Sequence, residues 1–559
     1  MSREEHLSVS IPTPDDFPVA WAKSEDAQRT WHHEQTHCPE PVSCLAHDFW
    51  EYIFEGLCGA KEHYNSPFRL DIRRINTYVY FSERSVVGPD EEEAAKERAK
   101  QARLAVAPTL EALWDNEFLP EIQSYISRWD AFDFDSASTA ELLQHIEQSW
   151  VWLRHLWLLH FRLPMGDARS LFNDLYKELF EEDGEESDEI ADPFALLPLT
   201  QGLPCKTTDM GRAMWALAQD LAPDVKSVLS TSELSEVTAA LEGSEAGRQF
   251  LTKLADFLQQ FGHRGNHWGV QYATWIEDPA PVFEILRGYL ADPDSDPTKR
   301  FEIQATEREQ AVEDLRQRLQ GFPAPVRDQF QNLLALAQYS AVLREDHNFW
   351  IDFSCTSRVR RLMLVAGRHL VTAGVIDSAA DVMHLHLAEI QQSLLNATCA
   401  DRRLDVVARC SEVEHFARIP PPEQLGIEPP PPEKEDEKPA ETPVPGLLKG
   451  QPGSPGLVRG RARIVETPSS LHDLKAGETL IAMSTAPSFT PFFATAGGII
   501  TESGGLLSHC TVVAREYRIP AVVGLSDARQ QIADGQWIEV DGSAGTVRLI
   551  DEADEQPRR

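Results

Sequence analysis

Residues 501–524 read TESGGLLSHCTVVAREYRIPAVVG, and this stretch decides the fold of the C-terminal part of the chain. The run GGIIT, which leads into it, predicts a buried strand that ends at Thr501. Gly504 and Gly505 then permit a tight turn and a close approach of another group to the backbone. A helix is predicted to begin near His509. The stretch is therefore expected to form a strand, a turn and a helix that starts at a histidine.

The position of His509 at a helix start makes it a candidate phosphoryl carrier. Ser508 is a suitable N-cap residue for this helix. Unpaired backbone N–H groups and the helix dipole favour an anion there. They also lower the imidazole pKa, which keeps the ring neutral and nucleophilic at neutral pH. A lone histidine at a helix end more often only caps or packs, so the assignment depends on the surrounding pattern. The predicted phosphate-binding residues are Thr501, Gly504, Gly505, Ser508 and Arg515.

The rest of the C-terminal part alternates short apolar runs with helical segments. Residues 457–465, LVRGRARIV, alternate small or apolar residues with arginines, which predicts a half-buried strand. Further strands are predicted at 479–483, 497–501, 521–524, 537–540 and 546–550, and helices at 490–496 and 509–517. This part is therefore expected to be a small α/β domain.

The N-terminal part is predicted to be mainly helical. Apolar residues fall on one helix face in 326–343 and 358–373, and the aromatic-rich stretch 149–161 has the character of a buried helix. Residues 67–82 predict one or two strands. No GxGxxG or GxxxxGK[ST] motif occurs, so a nucleotide-binding domain is not expected in this chain.

A proline-rich, charged segment separates the two parts. Residues 419–455 contain few apolar side chains that a core would bury, which is typical of an extended, semi-rigid linker. The predicted domains are therefore a helical domain over 1–418, the linker over 419–455, and a small α/β domain over 456–552.

Composition excludes several function classes. The 559 residues carry a formal net charge of −37, which repels nucleic acid and anionic membranes at long range. No apolar run has the length of a membrane span, and the first residues lack the apolar region of a signal peptide. The eight scattered cysteines form no CxxC pair and are expected to be reduced thiols in the cytoplasm.

Residues 501–524 closely resemble the phosphohistidine swivelling domain of the phosphoenolpyruvate (PEP)-utilising enzymes. The resemblance extends to SPGLVRGRARIV before this stretch and to EVDGSAGTVRLI after it. It implies that His509 is the phosphocarrier. Arg518 stands where the family usually has Gly, and its position beyond the helix end favours an effect on docking rather than on phosphorylation. Cys510 and Thr511 also replace smaller residues, and neighbours on a helix diverge too far for a Cys–His catalytic pair. The matching positions are Thr501, Gly504, Gly505, Ser508, His509, Ala514, Arg515, Glu516, Ile519, Pro520 and Gly524.

Three N-terminal stretches resemble the rifampicin phosphotransferase and phenylphosphate synthase group. They are residues 16–45, residues 261–279 and residues 344–390. Phosphoryl transfer needs cations at the phosphoryl oxygens and a base near the attacking hydroxyl. The predicted catalytic residues here are His263 and Arg264. The predicted acceptor-site residues are Glu345, His347, Arg358 and Arg361. The residues expected in the core rather than in an acceptor pocket are Trp268, Trp275 and Trp350.

The resemblance implies a mainly α N-terminal domain and a small α/β phosphohistidine swivelling domain, joined by the proline-rich linker. In phenylphosphate synthase, the subunit with the histidine is separate from the ATP-grasp subunit. By this resemblance, ATP and Mg²⁺ are bound on a separate ATP-grasp subunit, and no metal site is expected in this chain. His509 receives the phosphoryl group, with release of AMP and phosphate, and passes it to a hydroxyl of a small aromatic or apolar organic acceptor.

Two alternatives remain open at this stage. A phosphorelay or regulatory module would pass phosphate between proteins without a small-molecule acceptor. A binding protein would keep the fold without catalysis, although the intact motif around His509 argues against it.

Overall fold

The computed structural model describes residues 10–134, 136–180, 196–265, 267–291, 296–396, 401–428, 446–465, 471, 474–485, 489, 493, 495–505 and 509–550. The helices are α1 Cys44–His63, α2 Glu92–Val106, α3 Leu110–Leu113, α4 Leu119–Asp130, α5 Thr139–Phe161, α6 Met165–Phe180, α7 Leu197–Thr200, α8 Lys206–Gln219, α9 Pro223–Thr231, α10 Val237–Glu242, α11 Glu245–Phe261, α12 Ala280–Ala291, α13 Pro297–Arg318, α14 Ala324–His347, α15 Ser354–Thr372, α16 Leu387–Leu395, α17 Arg403–Phe416, α18 His509–Glu516 and α19 Ala528–Gln531. The strands are β1 Thr30–His33, β2 Phe68–Ile75, β3 Tyr78–Ser85, β4 Gln424–Gly426, β5 Leu447–Lys449, β6 Gln451–Ser454, β7 Leu457–Val465, β8 Thr479–Ala482, β9 Gly498–Thr501, β10 Ala521–Val523, β11 Trp537–Asp541 and β12 Thr546–Leu549.

The N-terminal part is mainly helical, and the C-terminal part is a small α/β unit, as the sequence predicts. The largest core cluster lies around α1, α5 and α15, where apolar side chains such as Phe49, Leu153 and Val365 are almost completely buried. Among the described residues, no helix combines the length and apolar character needed to cross a membrane.

A four-stranded sheet in the N-terminal part has the order β2-β3-β1-β4. The paired strands β2 and β3 confirm the strands predicted in residues 67–82. The sequence does not signal β1 or β4, because each is only three or four residues long. Strand β4 comes from the segment predicted as linker, and it pairs with β1 through Leu425, which is fully buried against Trp31.

The small domain is built on an eight-stranded sheet of order β5-β12-β11-β7-β8-β9-β10-β6. Strands β7 to β10 are parallel neighbours, and α18 forms the crossover between β9 and β10. Ile499 packs beneath α18, and Ile500 faces the opposite core, as the two-residue strand period requires. The carboxyl end of β9 therefore leads directly into the turn before α18.

The predicted linker is structured at both ends. Residues 419–428 pack on the N-terminal sheet through β4, and β5 and β6 belong to the sheet of the small domain. Residues 429–445, the most proline-rich and charged part, lie outside the described residues. Leu425 and Leu448 explain why the ends are structured, since each finds a place in a core.

A π-helical segment, Asn348–Phe353, joins α14 to α15. Such segments are often found at functional sites, because the widened turn redirects side chains. Here it changes the direction of the side chains between two long helices, and Asp352 and Phe353 border the cavity described below.

We expect Gly56→Ala to destabilise the protein, because α1 and α5 are in close contact at this glycine. A Cβ at position 56 would lie 2.6 Å from Trp157 Cβ and 2.7 Å from the Trp157 carbonyl carbon. Such overpacking costs about 1–3 kcal/mol, which thermal unfolding followed by tryptophan fluorescence will detect. Gly166→Ala is the matched control, since nothing lies within 4 Å of its added Cβ. Equal melting temperatures for the two variants would contradict the close packing.

Candidate functional site

The predicted phosphocarrier turn has the expected backbone. Strand β9 ends at Thr501, whose hydroxyl is buried and makes no hydrogen bond within the described residues. Gly504 has a φ of 104°, a value that side-chain-bearing residues rarely adopt. The Gly505 carbonyl accepts a hydrogen bond of 2.9 Å from Thr511 Oγ1. Helix α18 begins at His509, as predicted. Ser508 and the His509 side chain lie outside the described residues.

A cavity of about 430 Å³ lies between the helical part and the small domain. The helical part supplies most of its lining, and the small domain supplies residues on both sides of His509, among them Gly504 and Cys510. The phosphocarrier turn and the first turn of α18 therefore border the cavity. Its size falls in the range of small-molecule sites.

Aromatic side chains form much of the cavity wall. Trp268 lies with its ring centroid 5.2 Å from Trp50 and 5.8 Å from Trp157, in edge-to-face arrangements. All three line the cavity, together with Phe161 and Phe353. Trp268 packs against the helical core, as expected, and it also borders the cavity. The glycine-flanked loop brings this ring to the surface of the core rather than into it.

One polar wall of the cavity contains two histidines and an aspartate. His347, at the end of α14, is buried, and its ring centroid lies 4.7 Å from that of His160. His160 Nδ1 lies 3.2 Å from Asp352 Oδ1. Burial, and secondarily the charge of His160, lower the pKa of His347 to about 4. His347 is therefore neutral at pH 7, whereas the sequence indicates only that it is an acid–base group.

Glu345 also lines the cavity, as predicted. It is buried, and Thr207 Oγ1 donates a hydrogen bond of 2.8 Å to its Oε2. The two predicted acceptor-site residues Glu345 and His347 thus meet at one wall, two residues apart on the last turn of α14.

Three arginines, from α6, α14 and α18, interact near the place where the helical part meets the small domain. Burial, followed by the charges of Arg169 and Arg344, lowers the pKa of Arg515 to about 10. Burial, and then the charge of Arg344, lowers the pKa of Arg169 to about 10. Arg344 itself lines the cavity with Gly504. Mutually repelling guanidinium groups favour an anion between them. Arg515 is anchored by a 2.8 Å hydrogen bond from its Nε to the Gly453 carbonyl.

His263 and Arg264 lie in a small side pocket, and neither is among the residues that line the cavity. His263 Nδ1 lies 3.0 Å from Ser357 Oγ, and burial lowers its pKa to about 4. The Arg264 guanidinium is buried and lies 4.5 Å from the Phe353 ring centroid. Phe353 borders both this side pocket and the cavity. The catalytic role of His263 and Arg264 stays a prediction.

The structure does not bring Arg358 and Arg361 to the cavity. Arg358 forms a two-pronged ion pair with Asp130, with N–O distances of 2.9 and 2.7 Å. Arg361 lies over the Phe134 ring at 4.5 Å. Both side chains thus contact the end of α4 and the loop that follows it.

Cys510 lines the cavity beside His509, but it is not a nucleophile. Burial raises the pKa of its thiol to about 11, so the thiolate is not populated at neutral pH. This finding agrees with the helix geometry, which disfavours a Cys–His catalytic pair.

Within the described residues, one group of side chains has the spacing of metal ligands: His47, Asp48 and Glu51 on α1. Asp48 already accepts hydrogen bonds from His386 Nδ1 at 2.9 Å and from the Leu387 backbone at 2.6 Å. The hydrogen bond with Asp48 raises the pKa of His386 to about 10. A cation beside the group disfavours a metal ion, and the group does not line the cavity.

The small domain is held on the helical part by contacts with α13. Arg518 Nη2 lies 2.6 Å from Glu307 Oε2, and Gln304 Nε2 donates to the Arg515 carbonyl at 3.3 Å. Arg518 has a φ of 54°, which explains why glycine suits this position. The arginine thus makes a contact between the domains, in keeping with the docking role expected for it.

Several functional residues were not recognisable from the sequence. Arg169, His160 and Trp157 lie on α5 and α6, in stretches that read as ordinary buried helices. Arg344 and Asp352 flank predicted residues, but only the π-helical segment brings Asp352 to the cavity. The one sequence feature that marks these positions is an ionisable residue within an aromatic-rich helix. Many buried helices with no functional role share this feature.

Two family matches agree with this architecture. Residues 165–345 match the family described as rifampicin phosphotransferase fourth domain. Residues 474–545 match the PEP-utilising enzyme, mobile domain. The resemblance that residues 501–524 carry is thereby confirmed.

Curated relatives extend the similarity over most of the chain. Chondramide synthase cmdD of Chondromyces crocatus is 36% identical over 97% of this chain, which spans 14% of that protein. The uncharacterized phosphotransferase YvkC of Bacillus subtilis is 28% identical over 62% of the chain. Rifampicin phosphotransferase of the same organism is 26% identical over 63% of the chain. The chain spans 42% and 41% of the lengths of these last two proteins, so it corresponds to less than half of each.

We expect charge reversal at the Arg518–Glu307 contact to weaken docking of the small domain. Both side chains are about half exposed, so the ion pair contributes at most about 1 kcal/mol, and replacing attraction by repulsion shifts the docking equilibrium about fivefold or more. Small-angle X-ray scattering at low salt will show Arg518→Glu and Glu307→Arg as more extended than the wild type, and the double variant as compact again. Lys299→Glu on the same helix is the control. Single variants as compact as the wild type would contradict the docking role.

Proposed function

We propose that this chain is a phosphotransferase that works through His509. The proposal is supported by the match to the mobile domain of PEP-utilising enzymes and by the resemblance to rifampicin phosphotransferase. In this proposal, His509 accepts a phosphoryl group derived from ATP and passes it to a hydroxyl of a small organic acceptor. The acceptor occupies the cavity between the helical part and the small domain.

The cavity is the observation that carries the proposal. Gly504 and Cys510, which lie on either side of His509 in the sequence, border the same 430 Å³ space as the aromatic wall of the helical part. A phosphoryl group on His509 and an acceptor in the cavity would therefore be neighbours. An acceptor that fills the cavity would also displace water that could hydrolyse a phosphohistidine.

The chemistry of the cavity wall supports an acceptor with an aromatic or otherwise apolar body. Trp50, Trp157 and Trp268 offer ring faces and edges, while His347 and Asp352 offer a polar end. A phosphorelay to another protein needs an exposed docking surface rather than an enclosed pocket, so the cavity favours a small-molecule acceptor.

The three arginines supply the cations that phosphoryl transfer needs. Arg344 lines the cavity, and its charge and that of Arg169 act on Arg515 of α18. A dianionic phosphoryl group placed among them would relieve their mutual repulsion. This set replaces the pair Arg358 and Arg361 in the proposal, because those two are held by Asp130 and Phe134.

The phosphoryl donor is proposed to be ATP with Mg²⁺, bound on a separate ATP-grasp subunit. The sequence of this chain contains no phosphate-binding glycine motif. One histidine reaches two distant sites only if its domain moves, and the charged, proline-rich residues 429–445 suit a connection that permits this movement. Transfer by such a subunit would release AMP and phosphate.

Phosphorylation of His509 is tested with the chain in extract of its source organism and ATP labelled at the β-phosphate. Wild type should gain label that is labile in acid and stable in base, because the P–N bond hydrolyses when its ring is protonated. His509→Ala should gain none, and the exposed His415→Ala should behave as wild type. Label retained by His509→Ala would contradict the assignment. Label from the γ-phosphate instead of the β-phosphate would contradict a mechanism that releases AMP and phosphate.

The arginine cluster is tested with inorganic phosphate as a probe. We expect phosphate to raise the melting temperature of the wild type more than chloride at equal ionic strength. Arg169→Gln should weaken phosphate binding roughly tenfold to hundredfold, since a hydrogen bond to a charged group contributes about 1.5–3 kcal/mol. Arg98→Gln, an exposed cation on α2, is the matched control. Equal phosphate stabilisation of wild type and Arg169→Gln would exclude Arg169 from the site.

A further inference from the structure

The cavity has a group suited to take a proton from the acceptor hydroxyl. His347 closes α14 and lines the cavity with only about 5% of its surface exposed. Its Nδ1 lies 2.8 Å from the Leu343 carbonyl oxygen one turn earlier. A carbonyl oxygen only accepts hydrogen bonds, so the proton of the neutral ring resides on Nδ1. The lone pair is therefore on Nε2, the nitrogen that remains for a ligand in the cavity.

Burial keeps this ring neutral at pH 7, and the backbone contact fixes its orientation. A histidine that is neutral, held in one tautomer and in contact with the cavity meets the geometric requirement for a general base. The Leu343 carbonyl also stabilises the charged ring, because its hydrogen bond with Nδ1–H strengthens when Nε2 gains a proton.

The other ionisable groups of the cavity are less suited to this role. Glu345 accepts a hydrogen bond from Thr207, and Asp352 lies against His160. Burial alone would lower the pKa of His37, but its hydrogen bond and charge attraction to Glu34 together raise it, so this ring tends to hold its proton. His263 lies in the side pocket with Nδ1 near Ser357. Among the described histidines that line the cavity, His37 and His160 each have Nδ1 against a carboxylate, whereas a backbone carbonyl holds Nδ1 of His347 and leaves the lone pair on Nε2.

We propose that His347 is the general base of phosphoryl transfer to the acceptor. This inference rests on the proposed function. In the step, the acceptor O–H bond breaks and its proton goes to Nε2 of His347, while the oxygen forms a bond to phosphorus. The P–N bond to His509 breaks, and its electron pair stays on the His509 imidazole. The proton then passes from His347 to that ring, so both histidines end neutral and the acceptor leaves as a phosphate monoester.

The weak basicity of His347 in this structure is consistent with the role. Its low pKa reflects burial and the charge of His160. A dianionic phosphoryl group beside the cavity would act in the opposite direction, since an opposite charge favours the protonated ring. The charge of Asp352 already acts to raise the pKa of His347. The base therefore gains proton affinity when a phosphorylated small domain is docked.

The test compares two acceptor probes, phenol and 4-nitrophenol, at about pH 8, with chain labelled on His509. Phenol is un-ionised there and needs a base, whereas 4-nitrophenol is largely ionised and does not. His347→Gln should slow transfer to phenol roughly a hundredfold or more and should slow transfer to 4-nitrophenol much less. It should still take up label on His509, which shows that it folds. His47→Gln is the matched control, because His47 is another buried histidine with a pKa of about 4 and does not line the cavity.

Equal slowing with both phenols would indicate a structural role for His347 and overturn the base assignment while leaving the proposed function intact. Unchanged transfer to phenol by His347→Gln would also overturn the base assignment and leave the proposed function intact. A labelled wild type that transfers to neither phenol would contradict the proposed aromatic acceptor, and with it the base. The result that supports the inference is a loss confined to the un-ionised phenol.

Discussion

The proposed function places one constraint on the structure: a phosphohistidine has to meet its acceptor where water is excluded, yet it also has to be reachable by its phosphoryl donor. No single rigid domain satisfies both requirements. Here the reactive turn is on the small domain, and most of the pocket is on the helical part. Both parts line the cavity, and they are in contact through Glu307 and Gln304 of α13. A weak, half-exposed ion pair suits such a contact, because a strong one would hold the domain at the acceptor site.

Local charge at this boundary is opposite to the charge of the chain as a whole. The chain as a whole has a net charge of −37, whereas Arg169, Arg344 and Arg515 are partly or fully buried where the domains meet. Burial weakens screening by salt, so these three guanidinium groups act on one another across the boundary. The acidic surface repels nucleic acids and anionic membranes at long range, whereas a cavity responds mainly to the charges close to it.

Sequence reasoning succeeds where local chemistry determines structure. The glycines at 504 and 505, the strand before them and the helix from His509 follow from backbone rules that act within a few residues. It fails where distant helices meet. Trp157 and Trp268 come from regions more than a hundred residues apart, and the π-helical segment at Asn348–Phe353 leaves no pattern in the sequence. Arg358 and Arg361 are close together in the sequence, which favours a shared cationic site. In the folded chain, Arg358 instead pairs with Asp130, and Arg361 lies over the Phe134 ring.

Burial lowers the proton affinity of His347, and the same burial makes that affinity sensitive to the phosphoryl group. In a water-filled cleft, a dianion a few ångströms away would be screened and would change the ring's pKa little. Where a docked acceptor displaces water from the cavity, its effect would be larger, because less water would remain to screen it. A neutral resting base also avoids a permanent positive charge beside the buried Arg344, which would add to the repulsion that already lowers the arginine pKa values. In the proposed mechanism, docking of a phosphorylated domain thus brings the electrophile and strengthens the base in a single event, whereas docking of an unphosphorylated domain does neither.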